Sequence, residues 1–141
     1  MNNGKKDMYL PTWVCWTGLF FIAMAIGWLI NVILSPDLLS VIGMIVCFGI
    51  GISAVLCWKN QWIQMLDTDS FVYSTMFGNE TQYDFTQVRE LRLHSDSATL
   101  ILETGKVHIE KCAILSKRFK EAIGRALAKT ETDLKTFSVS A

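Results

Sequence analysis

Residues 13–58 read WVCWTGLFFIAMAIGWLINVILSPDLLSVIGMIVCFGIGISAVLCW and contain a single charged side chain, Asp37. Of the 13 basic and 13 acidic residues in the 141-residue chain, three lie in residues 1–7 and 22 lie in residues 59–141. Folded soluble domains carry about 25% charged residues. This uneven distribution excludes an ordinary soluble globule and divides the chain into an apolar module and a polar module.

The apolar module contains two uncharged runs, residues 13–35 and 38–58. As helices they would be about 34 Å and 31 Å long, enough to cross a hydrocarbon core of about 30 Å. The connection between them is very short and includes Pro36, which ends the first helix. The sequence therefore predicts a transmembrane α-hairpin over residues 13–58, preceded by an N-terminal segment, residues 1–12.

The positions of the lysines predict the orientation of this hairpin. Lys5 and Lys6 precede the first span and Lys59 follows the second, whereas the connecting turn has no Lys or Arg. By the positive-inside rule, both termini are expected in the cytoplasm. The alternative is a signal peptide cleaved after residues 23–25, but the apolar run exceeds the about 7–15 residues of a signal-peptide core and a second span follows.

Small residues recur at four-residue spacing in both spans, and such ridges let helices approach closely in lipid. They serve packing within the hairpin, or association with a second copy (a homodimer) or another membrane protein. No ionisable residue lies at mid-membrane, so the spans lack the usual mark of a transport path. The candidate helix-packing residues are Ala23, Gly27, Gly43, Cys47 and Gly51.

In the polar module the apolar residues alternate with a period of two, which predicts half-buried strands. Beyond them an apolar stripe of helical period runs from Leu115 to Leu127, with Ser116 as its N-cap. We therefore expect an α+β domain over residues 59–129, in which one amphipathic C-terminal helix covers a small curled antiparallel sheet or barrel, and a flexible tail over residues 130–141. The six expected strands are Trp62–Leu66, Phe71–Met76, Thr81–Phe85, Val88–Leu93, Ala98–Glu103 and Val107–Glu110.

The order of these elements, and the stretch from Tyr83 to Val88 and from Leu100 to Ile109, resembles bacterial pleckstrin-homology-like (PH-like) domains. The shared features are an aromatic strand, an F-x-x-V step at Phe85–Val88, an apolar strand, a glycine turn and a closing helix. The resemblance covers residues 60–129. It implies a small protein of the bacterial cytoplasmic membrane and a domain that serves lipid binding, peptide binding or scaffolding. A full PH barrel has seven strands, one more than the pattern predicts.

No motif in the chain demands a chemistry. His94, Ser95 and Asp96 are consecutive on a turn, so they cannot converge as a hydrolase triad. His108 and Glu110 share one strand face but lack a third metal ligand. Residues 59–141 contain 11 basic and 11 acidic side chains, whereas nucleic-acid-binding domains are strongly basic. We therefore expect neither an enzyme nor a nucleic-acid-binding protein, and no cofactor or metal.

The candidate contact surface is the polar face of the C-terminal helix, where five basic side chains stand against Glu121 alone. Near a cytoplasmic leaflet, each cation gains about 1 kcal/mol from anionic lipid; the alternative is a solvated face. We therefore expect a membrane-tethered binding or scaffolding module that contacts anionic lipid headgroups or a protein. The alternative function is that of a regulatory or immunity-type protein whose hairpin binds another membrane protein through Gly43, Cys47 and Gly51. The five basic residues are Lys117, Arg118, Lys120, Arg125 and Lys129.

Overall fold

The computed structural model describes residues 5–139, and the surroundings of side chains for residues 5–131. The chain forms two compact units. One consists of Leu10–Gln61 together with Thr75–Gly78, and we call it the hairpin unit. The other, the polar unit, consists of the chain up to Tyr9, Trp62–Ser74 and the chain from Asn79 onward.

The hairpin unit contains two helices of 23 residues, α1 (Thr12–Leu34) and α2 (Leu38–Asn60). Both helices are long and apolar enough to cross a membrane. Asp37 caps α2 by accepting a hydrogen bond from the Ser40 amide at 3.0 Å and another from the Ser40 hydroxyl. These two hydrogen bonds lower the pKa of Asp37, which favours the carboxylate in the turn between the helices.

Within this unit the large apolar side chains point outward. Among the described residues, only Gly18 and Ala25 are buried in α1, and only Ser40 and Gly51 in α2, whereas Leu34 is 76% exposed and Leu38 is 77% exposed. Soluble monomers rarely expose contiguous apolar patches of more than a few hundred Å². The exposed side chains of the hairpin therefore form an apolar surface that could lie in a membrane.

The polar unit contains two antiparallel sheets and one helix. Its elements are β1 (Met8–Tyr9), β2 (Trp62–Met65), β3 (Ser70–Ser74), β4 (Glu80–Asp84), β5 (Val88–Leu93), β6 (Ser97–Leu102), β7 (Lys106–Glu110), β8 (Ile114–Leu115) and α3 (Lys117–Val139). The strand order is β4-β3-β2-β1-β8 in the first sheet and β5-β6-β7 in the second, and within the described residues the sheets do not close into a barrel. A 3-10 turn, Phe85–Gln87, connects β4 to β5.

The expected sheet and C-terminal helix are confirmed, and two short strands are added to the six expected ones. The first, β1, lies ahead of the hairpin in the chain, within the segment expected to be only an N-terminal extension. Met8, which is fully buried, is paired with Ile63 of β2 on one side and with Leu115 of β8 on the other. The first sheet is therefore assembled from chain on both sides of the hairpin.

The core of the polar unit is centred on Phe71, which is fully buried. Its ring centroid lies 4.7 Å from that of Phe85 and 5.8 Å from that of Phe119 on α3, close to the separations that favour aromatic pairs. Ser116 is the N-cap of α3, as expected, because its hydroxyl accepts a hydrogen bond from the Phe119 amide at 3.1 Å.

The C-terminal helix is longer than expected, because α3 continues to Val139. Residues 130–139, assigned to a tail from their polarity, contain no Gly or Pro that would stop a helix. Thr130 is fixed at the start of this extension, since its hydroxyl lies 3.0 Å from both the Val88 and the Ala126 carbonyl oxygens.

Candidate functional site

The five basic residues proposed as a contact face do not form one surface. At about 100° per residue along a helix, Arg118, Arg125 and Lys129 fall within about 40° of one another, whereas Lys117 and Lys120 point in other directions. Lys117 lies 3.9 Å from Glu121, one turn along the helix, and both side chains are exposed. The stripe of Arg118, Arg125 and Lys129 borders the apolar face of α3, so its members lie close to neighbouring strands and turns.

Arg118 is engaged in a contact within the polar unit. Its guanidinium donates a hydrogen bond at 2.7 Å to the carboxylate of Asp7, which is only 5% exposed. The same carboxylate accepts hydrogen bonds from the Met65 amide at 2.9 Å and from the Ser116 hydroxyl at 2.7 Å. Asp7 therefore links the chain ahead of the hairpin to β2 and to the first turn of α3.

The surroundings of Asp7 favour its charged form. Burial raises the pKa of Asp7, but the hydrogen bonds from Arg118, the Met65 amide and Ser116, together with the positive charge of Arg118, outweigh burial and place the pKa below its ordinary value. Asp7 is therefore a carboxylate at neutral pH, and it holds the guanidinium of Arg118 in place.

Arg125 and Lys129 line a cleft with a volume of about 260 Å³ in the polar unit. A third cation, Arg89 of β5, joins them, and Asp69 is the only acidic residue among the described lining residues. The cleft thus combines three positive charges, several hydroxyl groups and a small apolar wall. The remaining lining residues are Thr68, Phe85, Thr86, Ala122, Ala126 and Thr130.

Local hydrogen bonds hold the walls of this cleft. The Phe85 amide donates to the Asp69 carbonyl oxygen at 2.8 Å, which joins the β2–β3 turn to the 3-10 turn. Asp84 caps the 3-10 turn by accepting hydrogen bonds from the amide and the hydroxyl of Thr86, each at 2.9 Å. The cleft is therefore built on fixed backbone.

The cations of the cleft differ in their partners. Arg89 forms an ion pair with Glu103 on the exposed sheet edge. Within the part of the chain whose side chains are described, Arg125 and Lys129 form no ion pair. Both are exposed, so they are available to an incoming anion.

The cleft lies at one particular end of the first sheet. Thr68 and Asp69 belong to the turn that joins the end of β2 to the start of β3. Trp62, where the chain returns from α2, lies at the opposite end of β2. A ligand in the cleft would therefore be separated from Trp62 by the length of that strand.

The glycines of the hairpin unit fall into two groups. A Cβ atom on Gly51 would lie 2.9 Å from the Gly18 carbonyl oxygen, and one on Gly18 would lie 2.9 Å from the Gly51 carbonyl oxygen, so the two backbones touch where α1 and α2 cross. A Cβ atom on Gly43 would lie 3.1 Å from the Trp28 ring. By contrast, nothing lies within 4 Å of a Cβ placed on Gly27.

The other proposed packing residues have different surroundings. Ala23 is exposed, like Gly27 one turn further along α1, and Cys47 is half-buried. Gly18 was not recognised from the sequence because it lies five residues before Ala23 and so falls outside the four-residue spacing.

The histidines lie where the sequence predicts. The His94 amide donates to the Ser97 carbonyl oxygen at 2.8 Å, which closes the β5–β6 turn. His108 Nε2 lies 3.2 Å from a carboxylate oxygen of Glu110 on the same strand face. Among the residues that the structure describes, no group of three or more His, Cys, Asp or Glu side chains is arranged to hold a metal ion.

Comparison with protein-family models, with curated proteins and with solved structures found no match to this chain.

Proposed function

We propose that the protein is a membrane-anchored binding module, and that its polar unit holds an anionic group in the cleft of Arg89, Arg125 and Lys129. The observation that carries this proposal is the cleft itself, in which three cations face one carboxylate and two of the cations have no ion-pair partner among the described residues. An excess of positive charge in a concave site attracts anions and raises their local concentration.

The anchorage is supported by the two apolar helices and by the pairing of β1 with β2. These strands directly flank the hairpin in the chain and are joined by antiparallel backbone hydrogen bonds. If α1 and α2 cross a bilayer, this pairing requires both flanks on the same side. Lys5, Lys6 and Lys59 favour the cytoplasmic side, so the proposed location of the polar unit is the cytoplasm, at a bacterial cytoplasmic membrane.

The proposed class of the polar unit is a PH-like domain. The resemblance implies one strand more than the six expected, and the structure adds two short ones, β1 ahead of the six and β8 after them. The closing amphipathic helix also has the expected place in the chain. Because such domains serve several kinds of binding, the ligand is inferred from the cleft and not from the class.

The ligand chemistry follows from the two types of cation. A guanidinium offers a planar fork of donors that matches phosphate or carboxylate oxygens, and an ammonium adds a compact charge with three donors. Exposed hydroxyls of Thr68 and Thr86 lie in the same wall. We infer an anionic ligand with several oxygens, either a phosphate-bearing solute or the headgroup of an anionic lipid.

Titration calorimetry on the full chain in phosphatidylcholine nanodiscs, with inorganic pyrophosphate as the probe, tests this function. Arg125→Gln/Lys129→Gln should weaken binding about tenfold or more, because hydrogen bonds to charged groups contribute about 1.5–3 kcal/mol each. Lys117→Gln/Lys120→Gln removes the same charge from the same helix and should leave the affinity near that of the wild type. Equal loss in both double variants, or no binding by the wild type, would contradict the cleft as the site.

A second arm separates the two sources of the anion. Nanodiscs that also contain phosphatidylglycerol should lower the apparent affinity for pyrophosphate if lipid headgroups fill the cleft. Unchanged affinity would identify a soluble ligand. The Arg125→Gln/Lys129→Gln variant should show no such competition in either case.

The second candidate function is a regulatory or immunity-type protein that binds another membrane protein. Gly43 and Gly51, the expected contact residues, face Trp28 and Gly18 within the hairpin unit, but one other observation favours this function. Ala23 and Gly27 form a small-residue strip that is exposed on α1 and unused within the hairpin unit. If this strip meets a partner helix, Gly27→Leu should abolish co-purification of a membrane protein, whereas Gly49→Leu, equally open in α2, should not. Retention of the partner by the Gly27 variant would remove this candidate.

A further inference from the structure

The turn between β3 and β4, Thr75–Gly78, belongs to the hairpin unit although the strands it connects belong to the polar unit. Phe77 stands in this turn with 74% of its surface exposed. Burial of a Phe side chain is favourable, and a ring that stays in water does not contribute this free energy. The ring of Phe77 is therefore accessible to a contact outside the chain.

Two hydrogen bonds fix the turn. The Gly78 amide donates to the Thr75 carbonyl oxygen at 2.8 Å, and Gly78 has a φ of +79°, a left-handed conformation that glycine adopts without strain. The side-chain amide of Asn60 donates to the Met76 carbonyl oxygen at 2.9 Å. Since Asn60 is the last residue of α2, Phe77 is held beside the end of that helix.

This end of the hairpin unit carries other exposed aromatic side chains. Trp58 lies two residues before Asn60 on α2, and Trp13 and Trp16 lie at the start of α1, which an antiparallel hairpin places at the same end. All three indoles are exposed. Tryptophan is enriched at the boundary between headgroups and acyl chains, so these side chains mark the level at which a bilayer would end.

We propose that the Thr75–Gly78 turn is a third membrane contact, in which Phe77 inserts its ring into the headgroup boundary of the bilayer that α1 and α2 cross. The occupant of this surface is lipid, because the turn is hydrogen-bonded to the end of a helix whose outward side chains are apolar and because three exposed indoles share that end. This inference rests on the membrane anchorage of the proposed function.

The test uses the full chain with its four cysteines replaced by alanine and single cysteines introduced for a nitroxide label. The chain is reconstituted in phosphatidylcholine vesicles, and collision with oxygen is compared with collision with a water-soluble nickel chelate. Phe77→Cys is the test position. Leu66→Cys is the matched control, because Leu66 is an exposed apolar residue beyond the opposite end of β3. Ile45→Cys, exposed within α2, reports on the hairpin.

We expect the ratio of oxygen to nickel collision at position 77 to exceed that at position 66 several-fold and to lie below that at position 45. A ratio at 77 equal to that at 66, with a high ratio at 45, would overturn the third contact and leave the anchorage intact. A low ratio at position 45 would instead overturn the anchorage, and the inference with it.

A second measurement retains the native cysteines. Phe77→Trp and Leu66→Trp are compared in vesicles whose lipids carry bromine close to the glycerol backbone. Additional quenching over the wild type is expected for Phe77→Trp alone. Equal quenching in the two variants would contradict insertion of the turn.

Discussion

The hairpin unit and the polar unit place their large apolar side chains in opposite ways. In the hairpin unit, α1 and α2 meet through the backbones of Gly18 and Gly51, and large side chains such as Leu34 and Leu38 face outward. In the polar unit, large side chains face inward around Phe71. Among the described residues, the polar unit therefore has a conventional apolar core, whereas the two helices of the hairpin are joined by close backbone approach and leave their large side chains exposed.

The largest expected effect comes from removing the centre of the polar core. Phe71→Ala should destabilise the polar unit by about 3–5 kcal/mol, as large-to-small changes of buried aromatic residues do. Urea unfolding of the chain in nanodiscs, monitored by hydrogen exchange of the strand amides, measures this loss of stability. Phe77→Ala removes the same side chain from an exposed position, and a comparable loss there would contradict the assignment of the core.

A smaller effect is expected where the two helices of the hairpin cross. In Gly51→Ala the new Cβ would lie 2.7 Å from Ile22 Cγ1 and 2.9 Å from the Gly18 carbonyl oxygen. The helices must separate, at a cost of about 1–3 kcal/mol. Titration with a denaturing detergent, monitored by energy transfer between α1 and α2, measures this loss of stability. Gly49→Ala is the control, since a Cβ there meets nothing within 4 Å; equal losses would show that no close crossing exists.

Asp7 offers a third test, because it joins chain from both sides of the hairpin. Asp7→Asn should cost about 1–2 kcal/mol, the lower part of the range for a lost charged acceptor, since the side chain of Arg118 remains 59% exposed and solvated. The free energy of unfolding of the polar unit measures this change. Asp67→Asn, at an exposed turn position, should leave the free energy of unfolding unchanged. Equal losses in the two variants would contradict a stabilising role of the Asp7 carboxylate.

The smallest effect concerns pH. The folded pKa of Asp7 lies below its unfolded value, so its contribution to stability is complete above the unfolded pKa of about 3.9 and is lost as pH falls through the folded pKa. Unfolding measured between about pH 6 and pH 3 should therefore show a fall in stability that is smaller in Asp7→Asn. Identical pH profiles would contradict the charged state assigned to Asp7.

The sequence predicted the elements whose signal is local. The charge-free runs predict α1 and α2, the alternation of apolar residues predicts β2 to β7, and the helical stripe with Ser116 predicts the start of α3. Two-residue strands give no periodicity, so β1 was not recognised. Its partners, Ile63 and Leu115, lie 55 and 107 residues away from Met8 in the chain.

The candidate site was only partly predictable for the same reason. Arg125 and Lys129 were identified because they lie on one helix with a visible period. Arg89 and Asp69 come from other elements and carry no local pattern that indicates a shared cleft. Asp7 resembles an ordinary flanking charge beside Lys5 and Lys6, and nothing nearby in the sequence indicates its burial. Gly18 acquires its role only when Gly51 lies against it.

The proposed function requires that the cleft of Arg89, Arg125 and Lys129 binds an anion. The most direct measurement is the nitrogen NMR spectrum of arginine side chains in the full chain, held in phosphatidylcholine nanodiscs and titrated with inorganic pyrophosphate. We predict that the Nε–H signals of Arg89 and Arg125 shift and saturate, whereas that of Arg92, which is paired with Glu90 outside the cleft, does not. Equal shifts at Arg92, or no shift at Arg125, would contradict anion binding in the cleft.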